Sequence, residues 1–399
     1  MDNFNFDPSS TFAKIKVIGI GGAGSNAVNR MIDDMIDYID YYVMNTDAQA
    51  LSTSRCKNQI ALGKEYTKGL GAGGDPEVGK KAALQDIDDI KELVKDTNLV
   101  FIAAGMGGGT GTGAAPVVAK AAKDAGALTI AIVTRPFDFE GESRKVKAIK
   151  GINELKSCVD AYIIVSNNSL MNSNGNRPLG EAFAESDRVL SQSVKTITDL
   201  IVLPGIINLD FADVKNTLKD KGLTMIGFGM GAGEKKSIEA ATNAFSSPLL
   251  EASIKGAHSA IINVIGGHGV TLADASDAVD YIREVAGNNL NIIFGVQQNP
   301  KLEDEMLVSI IATEFDSEYS YDDNKSLITN RVKPESNKEV SSPVVGEKTT
   351  IEVNEEESIL PSFLDEIRKK TGEEKSITDE EREDNEEEIN DLEKEEMIN

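Results

Sequence analysis

A segment rich in glycine and threonine, Gly105–Gly113, has the composition of a phosphate-binding loop. It follows an apolar run, Leu99–Ala104, that predicts a buried strand, and it precedes Ala114–Ala122, which predicts a helix with a proline in its first turn. Glycines let backbone N–H groups point into one cavity, and a helix N-terminus adds partial positive charge. Thr110 and Thr112 add hydroxyl donors. The segment therefore predicts an anion site.

A second segment, Gly19–Gly24, satisfies the G-x-G-x-x-G spacing of dinucleotide-binding proteins. It follows the predicted strand Ile15–Ile18 and opens the predicted helix Ser25–Ile36. Asp47, at the end of the predicted strand Tyr41–Met44, is placed about 20 residues on, where such proteins hold a ribose. Taken alone, these features are consistent with an NAD-dependent oxidoreductase.

A third glycine segment, Lys68–Pro76, precedes the predicted helix Glu77–Leu93. Three such segments exceed what one pyrophosphate needs, and they suit a nucleoside triphosphate held largely by backbone. The segment Gly105–Gly113 lacks the Gly-Lys-Ser/Thr ending of the common phosphate loop. We therefore expect the phosphate charge to be offset by the helix, a metal ion and residues elsewhere.

Strand patterns alternate with helix patterns around these segments. Leu128–Thr134 and Ala161–Val165 read as further buried strands, which predicts a mostly parallel sheet covered on both faces. Pro178 begins a long amphipathic helix whose apolar residues recur every three or four positions as far as Ile201. Pro204 ends this helix, and its acidic residues are expected to be solvated.

From Leu223 onward the chain predicts a second, smaller α/β module. Met225–Gly229 and Ala260–Ile265 read as strands. Leu290–Val296 and Met306–Thr313 are expected to close this module as a pair of neighbouring strands.

The length and net charge of the chain exclude several classes of protein. A chain of 399 residues exceeds one ordinary core and predicts two domains plus a tail. A formal net charge of −25 argues against a nucleic-acid partner and against direct binding to an anionic membrane. Cys56 and Cys158 form no CxxC motif, and no run of the ~20 apolar residues of a membrane span occurs. We expect a cytoplasmic protein without direct membrane insertion.

After Phe315 the apolar periodicity stops, and the composition predicts a disordered tail. Residues 318–399 hold 26 acidic and 11 basic side chains, so most of the net charge is in this tail. One apolar island, Ile359–Leu364, interrupts it. Together with Ile367, the island places four apolar residues at spacings of three and four, as on one face of a short helix.

These segments together resemble the FtsZ family of bacterial tubulin-like division GTPases. Gly105–Gly113 is similar to the family's signature loop, and Asn208–Asp213 resembles its synergy loop. The island Leu360–Leu364 is similar to the family's C-terminal partner-binding peptide, but here an acidic extension follows it. Asp75 stands where Asn is common, and Ser166 where Pro is common. Further matching segments are Asn45–Asp47, Gly69–Glu77, Phe137–Gly141 and Ser246–Leu250.

The resemblance covers roughly residues 13–315 and implies a tubulin-like α/β fold. A parallel-sheet nucleotide-binding domain is followed by a long central helix, a smaller second α/β domain and a disordered acidic tail. The expected boundaries are 12–177 for the GTP-binding domain, 178–203 for the central helix, 204–219 for the synergy loop and its helix, 220–316 for the C-terminal domain, 317–357 for the linker, 358–370 for the partner-binding peptide and 371–399 for the acidic extension.

The resemblance also implies a GTP/GDP site with Mg²⁺ bound mainly through the phosphates and no metal site built from side chains. Phosphates would meet backbone N–H groups, the ribose would meet Glu140 beside Arg144, and the base would lie among Asn26, Asn167, Phe183 and Asp187. An ionised Asp187 only accepts hydrogen bonds, which suits the two adjacent donors of guanine and favours GTP over ATP. The implied phosphate contacts are Gly21, Gly22, Ala23, Gly24, Ser25, Ala72, Gly73, Gly74, Gly109, Thr110 and Gly111.

Asp210 and Asp213 are separated in sequence from the phosphate loops by the long helix. Their spacing alone is most simply explained by a helix N-terminus, where Asp is favoured. The resemblance implies instead that they enter the nucleotide site of the next subunit and orient the attacking water, with Asn208 assisting. Repeated without closing, such a head-to-tail contact gives a filament.

The implied function is a GTPase that polymerises at the mid-cell division ring. Leu360–Lys370 would bind membrane-tethering and regulatory proteins of that ring. Two alternatives stay open from the residues themselves: the NAD-dependent oxidoreductase, and a nucleotide-binding scaffold without hydrolysis.

Overall fold

A computed structural model describes residues 13–173, 178–247, 256–287 and 290–315. The predicted linker 317–357, partner-binding peptide 358–370 and acidic extension 371–399 lie outside these ranges, as do residues 248–250 of one segment that carries the resemblance.

The described residues form ten strands and twelve α-helices. The strands are β1 (Ile15–Ile20), β2 (Ile39–Asn45), β3 (Asn58–Ala61), β4 (Leu99–Gly105), β5 (Leu128–Arg135), β6 (Ala161–Ser166), β7 (Gly222–Gly231), β8 (Ala257–Gly266), β9 (Asn291–Gln298) and β10 (Met306–Phe315). The helices are α1 (Gly21–Asp33), α2 (Ala48–Ser52), α3 (Lys64–Thr67), α4 (Pro76–Gln85), α5 (Ile87–Val94), α6 (Thr110–Asp124), α7 (Glu142–Lys156), α8 (Asn167–Ser173), α9 (Leu179–Val202), α10 (Phe211–Leu218), α11 (Lys236–Phe245) and α12 (Leu272–Ala286).

The strands join in the order β3-β2-β1-β4-β5-β6-β7-β10-β8-β9. Strands β3 to β7 run parallel, so the predicted parallel sheet of the first half is confirmed. The expected pairing of the last two strands is wrong: β10 lies between β7 and β8, antiparallel to both, and β9 pairs with β8 in parallel. Residues Met306–Thr313 of β10 are buried at this central position, in keeping with side chains that are apolar except for Ser309 and Thr313.

Helices cover both faces of the first half of the sheet. Apolar residues of α1 and α9 pack on one face, while those of α4 to α7 pack on the other. The first of these cores continues into the second half, where it includes Phe228 and Ile311. Helix α9 therefore lies against both halves and links them, while α11 and α12 cover the far face of the second half.

Helix α9 begins after Pro178 and ends at Val202, which confirms the predicted long helix. Its apolar face is buried, with Leu190 and Val194 fully enclosed. The expectation that its acidic residues are solvated is wrong for Glu185, which is only 4% exposed. The Arg188 guanidinium, three residues later on α9, lies 3.7 Å from the Glu185 carboxylate and offsets part of its charge.

Two of the predicted helices have different boundaries in the structure. Helix α6 begins at Thr110, so the last residues of the glycine segment are helical and Pro116 lies inside the helix rather than in its first turn. The single helix predicted after Pro76 is two helices, divided at Asp86. The Asp86 carboxylate accepts a hydrogen bond from the backbone N–H of Gly63 (2.6 Å), which holds this residue out of helical geometry.

Among the helices of the described part, none is both long enough and apolar enough to cross a bilayer.

Candidate nucleotide-binding site

The predicted phosphate-binding segments meet at one edge of the parallel sheet. Neighbouring strands reach this edge in register, with Ile20 of β1 beside Ala104 of β4 and Arg135 of β5 beside Ser166 of β6. Open α/β sheets bind ligands at the carboxyl ends of their strands, where loops and helix N-termini converge. This edge is therefore the candidate site.

Helices α1 and α6 start side by side at this edge because glycines remove the side chains between them. Gly21 has φ = +74°, and a Cβ there would lie 2.9 Å from the backbone N of Gly111. A Cβ on Gly24 would lie 2.3 Å from the carbonyl oxygen of Ala103, and one on Gly111 would lie 2.7 Å from that of Gly105. The close approach places two positively polarised helix ends at one point.

The threonines of the glycine segment stabilise the loop itself. The hydroxyls of Thr46 and Thr110 are 2.6 Å apart, which ties the end of β2 to the start of α6. The backbone N–H of Gly107 donates to the hydroxyl of Thr112 (2.8 Å). Both hydroxyls thus have partners within the protein, but Thr112 is the acceptor in its bond and keeps its own O–H as a candidate donor beside the backbone N–H groups.

Four glycines at this edge face open space. Among the described residues, no heavy atom lies within 4 Å of the position that a Cβ would take on Gly22, Gly73, Gly74 or Gly108. Gly73 and Gly74 have left-handed φ values of +59° and +73°. A chain with few side chains and turned peptide groups around an opening provides a cradle for phosphate oxygens.

The loop before α4 is anchored from two sides. The Lys147 ammonium of α7 donates to the carbonyl oxygen of Gly74 (2.7 Å). On the other side, Ala72 packs directly against Gly109. A Cβ added to Gly109 would lie only 2.8 Å from the methyl carbon of Ala72. Lys147 belongs to no motif of the sequence, and its only local signal is its place beside Arg144 and Lys145 in α7.

The predicted ribose contacts form an ion pair. Glu140 accepts from Arg144, one helical turn later, and also from the backbone N–H of Phe137 (2.9 Å). Two partners fix the Glu140 carboxylate, while the Arg144 side chain remains half exposed. The pair is therefore oriented before any ligand binds.

The predicted base contacts gather where α9 passes β6. The Phe183 ring meets Phe137 edge to face, with centroids 5.0 Å apart, and keeps 40% of its surface exposed. The buried Asn167 accepts a hydrogen bond from the hydroxyl of Ser186 (2.9 Å). Asn26 is exposed on α1. An aromatic face beside amide groups suits a planar heterocycle.

Asp187 follows Ser186 on α9 and is partly enclosed. Burial raises the pKa of its carboxyl to about 7, and the Arg30 guanidinium on α1 lowers it by a smaller amount. The expectation of an ordinary ionised carboxylate therefore needs correction. Near neutral pH the group is instead divided between protonated and ionised forms, so its hydrogen-bonding character changes with pH.

The predicted catalytic residues lie at the other end of α9. Asp210 caps α10: its Oδ1 accepts from the N–H of Asp213 (2.8 Å), and its own N–H donates to Oδ2 of Asp213 (3.3 Å). Asn208 accepts from the N–H of Gly205 (2.5 Å). The helix-capping explanation from spacing is thus confirmed for the single chain, while a catalytic role stays a prediction.

The structure brings the predicted phosphate, ribose and base contacts together at the sheet edge, but not the catalytic ones. From Ser186 to the end of α9 the helix runs about 24 Å at 1.5 Å per residue. Within the described ranges, no three His, Cys, Asp or Glu residues are grouped so that they could hold a metal ion.

Comparison with known proteins agrees with this architecture. A model of the GTPase domain of the tubulin/FtsZ family matches residues 14–175, and one of the FtsZ family C-terminal domain matches residues 222–316. An empty FtsZ dimer from M. jannaschii is 40% identical, with a TM-score of 0.72 over 77% of this chain and 92% of that one.

More distant structures share the fold. CetZ2 from Haloferax volcanii, solved as a GTPγS-bound protofilament, is 19% identical with a TM-score of 0.64 over 75% of this chain and 92% of that one. CetZ1 from the same organism, solved as a GDP-bound monomer, is 19% identical with a TM-score of 0.65 over 75% of this chain and 93% of that one. The domain matches and the 40% identity to FtsZ together mean that this chain belongs to the tubulin/FtsZ family of GTPases.

Proposed function

We propose that this chain binds GTP at the carboxyl edge of its parallel sheet, polymerises head to tail, and hydrolyses GTP between subunits of a division ring in the cytoplasm. One observation carries this proposal: the phosphate loops and Asp210 lie at opposite ends of α9, whose 24 residues span about 36 Å. A carboxylate so far from the nucleotide of its own chain acts on phosphate only when a second copy supplies it.

The proposal divides the roles among three groups of residues. Backbone N–H groups of the glycine loops hold the phosphates, and Lys147 keeps the loop of Gly73 and Gly74 in place. Mg²⁺ would be held mainly through the nucleotide phosphates and would offset their negative charge, in keeping with its preference for few protein ligands. Asp210 and Asp213 of the next subunit orient the attacking water, and Asn208 assists near the phosphates.

Exposed apolar side chains at both ends of the molecule support the head-to-tail contact. Leu70 beside the phosphate loops is 83% exposed, and Phe139 beside the ribose contacts is 57% exposed. At the opposite end, Ile206 is 68% exposed next to the predicted catalytic loop. Two different apolar surfaces at opposite ends fit a heterologous interface, which propagates as a filament.

Specific GTP turnover is expected to rise steeply with protein concentration, because each active site needs two subunits. We would measure phosphate release per subunit across the concentration range in which light scattering reports assembly. Full specific turnover in dilute, demonstrably monomeric protein would contradict the shared site. The absence of phosphate release at every concentration, despite GTP binding, would favour the non-hydrolysing scaffold.

The oxidoreductase alternative loses its main support in the structure. The Asp47 carboxylate, expected to hold a ribose in that alternative, caps α2 by accepting from the N–H groups of Gln49 (2.8 Å) and Ala50 (3.3 Å). Binding of NAD in the same titration would revive this alternative.

GTP affinity is expected to rise by about tenfold between pH 6 and pH 8 through Asp187, because only the ionised carboxylate accepts the guanine donors and its pKa is about 7. The gain saturates above the pKa, where the group is already ionised. Equilibrium binding at each pH would measure it. The phosphates titrate in the same range, so Asp187→Asn provides the matched baseline.

At pH 8 the Asp187→Asn variant is expected to lose about 1–3 kcal/mol, or roughly 5- to 150-fold in Kd, because an amide places a donor against guanine donors. The GTP affinity of this variant should change with pH only because the phosphates of GTP titrate. Equal GTP affinity and equal pH profiles for the two proteins would remove this residue from the base site.

For the tail we propose that residues 358–370 dock on division-ring partners, with Phe363 as an apolar anchor and Arg368–Lys370 adding charge contacts. Deletion of residues 317–399 is expected to abolish binding to such partners and to leave GTP turnover within about twofold, since the described site lies outside the tail. Phe363→Ala in the full chain is the matched point variant. Unchanged partner affinity for that variant, or loss of turnover on deletion, would contradict the assignment.

A further inference from the structure

An open groove of about 770 Å³ crosses the outer face of the first domain, away from the nucleotide edge. Val117 and Ala121 of α6 form its base. Leu84 of α4 and Ile87 of α5 line one wall, and Cys158, after α7, lines the other. Leu84 is 51% exposed, so an apolar surface faces solvent here. Exposed apolar grooves of this kind mark sites where another segment docks.

The described chain ends close to this groove. Glu314, the penultimate described residue, pairs with Lys221 (2.8 Å). Asp220, the residue before Lys221, pairs with Lys123 of α6 (2.7 Å). The next residue of α6, Asp124, lines the groove. Two ion pairs therefore connect the point where the tail leaves the second domain to the end of the groove at the C-terminus of α6.

The tail holds a segment of suitable chemistry. We propose that Ile359–Lys370 of the same chain docks in the groove, with Leu360, Phe363, Leu364 and Ile367 on the apolar base. A helix of this length is marginal alone in water and gains stability by burying such a face. The docking uses the same apolar residues that the proposed division partners require, so the two events exclude each other.

Reach and charge favour this occupant. The 43 residues from 316 to 358 give a root-mean-square span of about 35 Å for a flexible chain, which is ample for a groove next to the exit point. A tether of this kind gives a millimolar effective concentration. Lys91 and Lys120 at the margin of the groove are 61% and 56% exposed and pair with Asp88 (3.6 Å) and Asp124. Asp365 and Glu366, which directly follow the apolar island, would compete for these exposed ammonium groups.

The docked segment would leave assembly open. The groove lies over the C-terminal half of α6, whereas the phosphate loops meet the N-terminal end of that helix. The predicted catalytic loop at residues 204–213 contributes nothing to the lining. Docking therefore controls access of partners to the tail rather than GTP turnover.

A disulfide between the groove and the tail tests the proposal in the full-length chain. Cys158 lines the groove, and the other native cysteine, Cys56, is 2% exposed and does not compete. Thr371→Cys places a second thiol four residues after Ile367, on the helix face of the four apolar residues and without removing any of them. The matched control is Ser376→Cys, for which chain length alone predicts a rate less than about twofold lower.

In dilute, GDP-bound protein oxidised with copper phenanthroline, the Thr371→Cys variant is expected to form its bond to Cys158 at least tenfold faster than the Ser376→Cys variant. Leu84→Asp in the groove should reduce this rate to that of the control. Val146→Asp, on an equally exposed apolar residue of α7 outside the groove, should leave it unchanged.

Three results would overturn the proposal: equal rates for the two cysteines, no effect of Leu84→Asp, or a rate proportional to protein concentration, which would place the tail on a neighbouring copy. Non-reducing electrophoresis and peptide mass spectrometry give the readout. Because GTP turnover is not measured, failure here would leave the shared-site proposal intact.

Discussion

The Asp210→Ala variant is expected to lose at least 100-fold in GTP turnover while its GTP affinity stays within about twofold of wild type. A residue that orients or activates the attacking water typically contributes 10²- to 10⁴-fold. Its own nucleotide edge lies at the other end of α9, so binding by the same chain does not use it. Phosphate release above the assembly concentration and equilibrium binding below it would measure the two quantities.

Capping must be separated from catalysis in this experiment, because Asp210 stabilises the start of α10. Replacing an N-cap Asp with Ala costs about 0.5–2 kcal/mol, whereas Asn caps about as well as Asp. The Asp210→Asn variant should therefore retain the thermal stability of the wild type and still lose turnover. Full turnover in Asp210→Asn with loss in Asp210→Ala would reduce the role of this residue to helix capping.

The parts of the site that the sequence predicted well are local. Each phosphate segment combines an apolar strand with glycines and a helix start, and these neighbours in sequence are also neighbours in space. Parallel strands then bring separate segments to one edge, so Gly21 of the Gly19–Gly24 segment reaches Gly111 of the Gly105–Gly113 segment. Local pattern and sheet topology together are sufficient for this result.

The start of α6 is a feature that local sequence preferences predict wrongly. Glycine disfavours a helix interior, so the predicted helix started after Gly113. In the structure a Cβ on Gly113 would lie 1.9 Å from the carbonyl oxygen of Pro76, and one on Gly79 would lie 2.5 Å from that of Gly109. These glycines allow α4 and α6 to pack closely. Helices α4 and α6 are separate in the sequence, and the helix propensities of single residues contain no information about how the two helices pack.

The order of the last strands depends on long-range pairing in the same way. The apolar runs of β9 and β10 permit several neighbours, and only tertiary packing selects β8 for both. Asp187 is a second case: burial of its carboxyl in the folded protein raises its pKa, whereas the helical periodicity of the sequence predicts a solvated side chain. The catalytic role of Asp210 is different again, since it depends on a second molecule and entered only through family resemblance.

The Gly22→Val variant is expected to weaken GTP binding at least 100-fold, or about 2.7 kcal/mol, without loss of folding. No described heavy atom lies within 4 Å of the position of a Cβ on Gly22, so the isopropyl group meets only the space that we assign to phosphate. Gly22→Ala, with a single methyl group, should show a smaller loss. Equilibrium GTP binding and thermal unfolding of both variants would give the comparison.

Gly24→Ala is the matched control for steric effects. Its Cβ would lie 2.3 Å from the carbonyl oxygen of Ala103, inside the protein, so this variant should lose thermal stability rather than binding alone. Wild-type GTP affinity in a folded Gly22→Val protein would mean that the nucleotide does not approach the start of α1.

Mixing the two deficient proteins then tests whether the site is shared. Asp210→Ala retains the phosphate cradle and lacks the catalytic carboxylate, while Gly22→Val lacks the cradle and retains the carboxylate. Because a heterologous interface pairs one end of each subunit with the other end of its neighbour, up to about a quarter of the interfaces in an equal mixture combine two intact halves. Turnover should therefore reappear on mixing, although each protein alone is nearly inactive. If the mixture releases phosphate no faster than the average of its components, Asp210 does not act on the nucleotide of a neighbouring subunit.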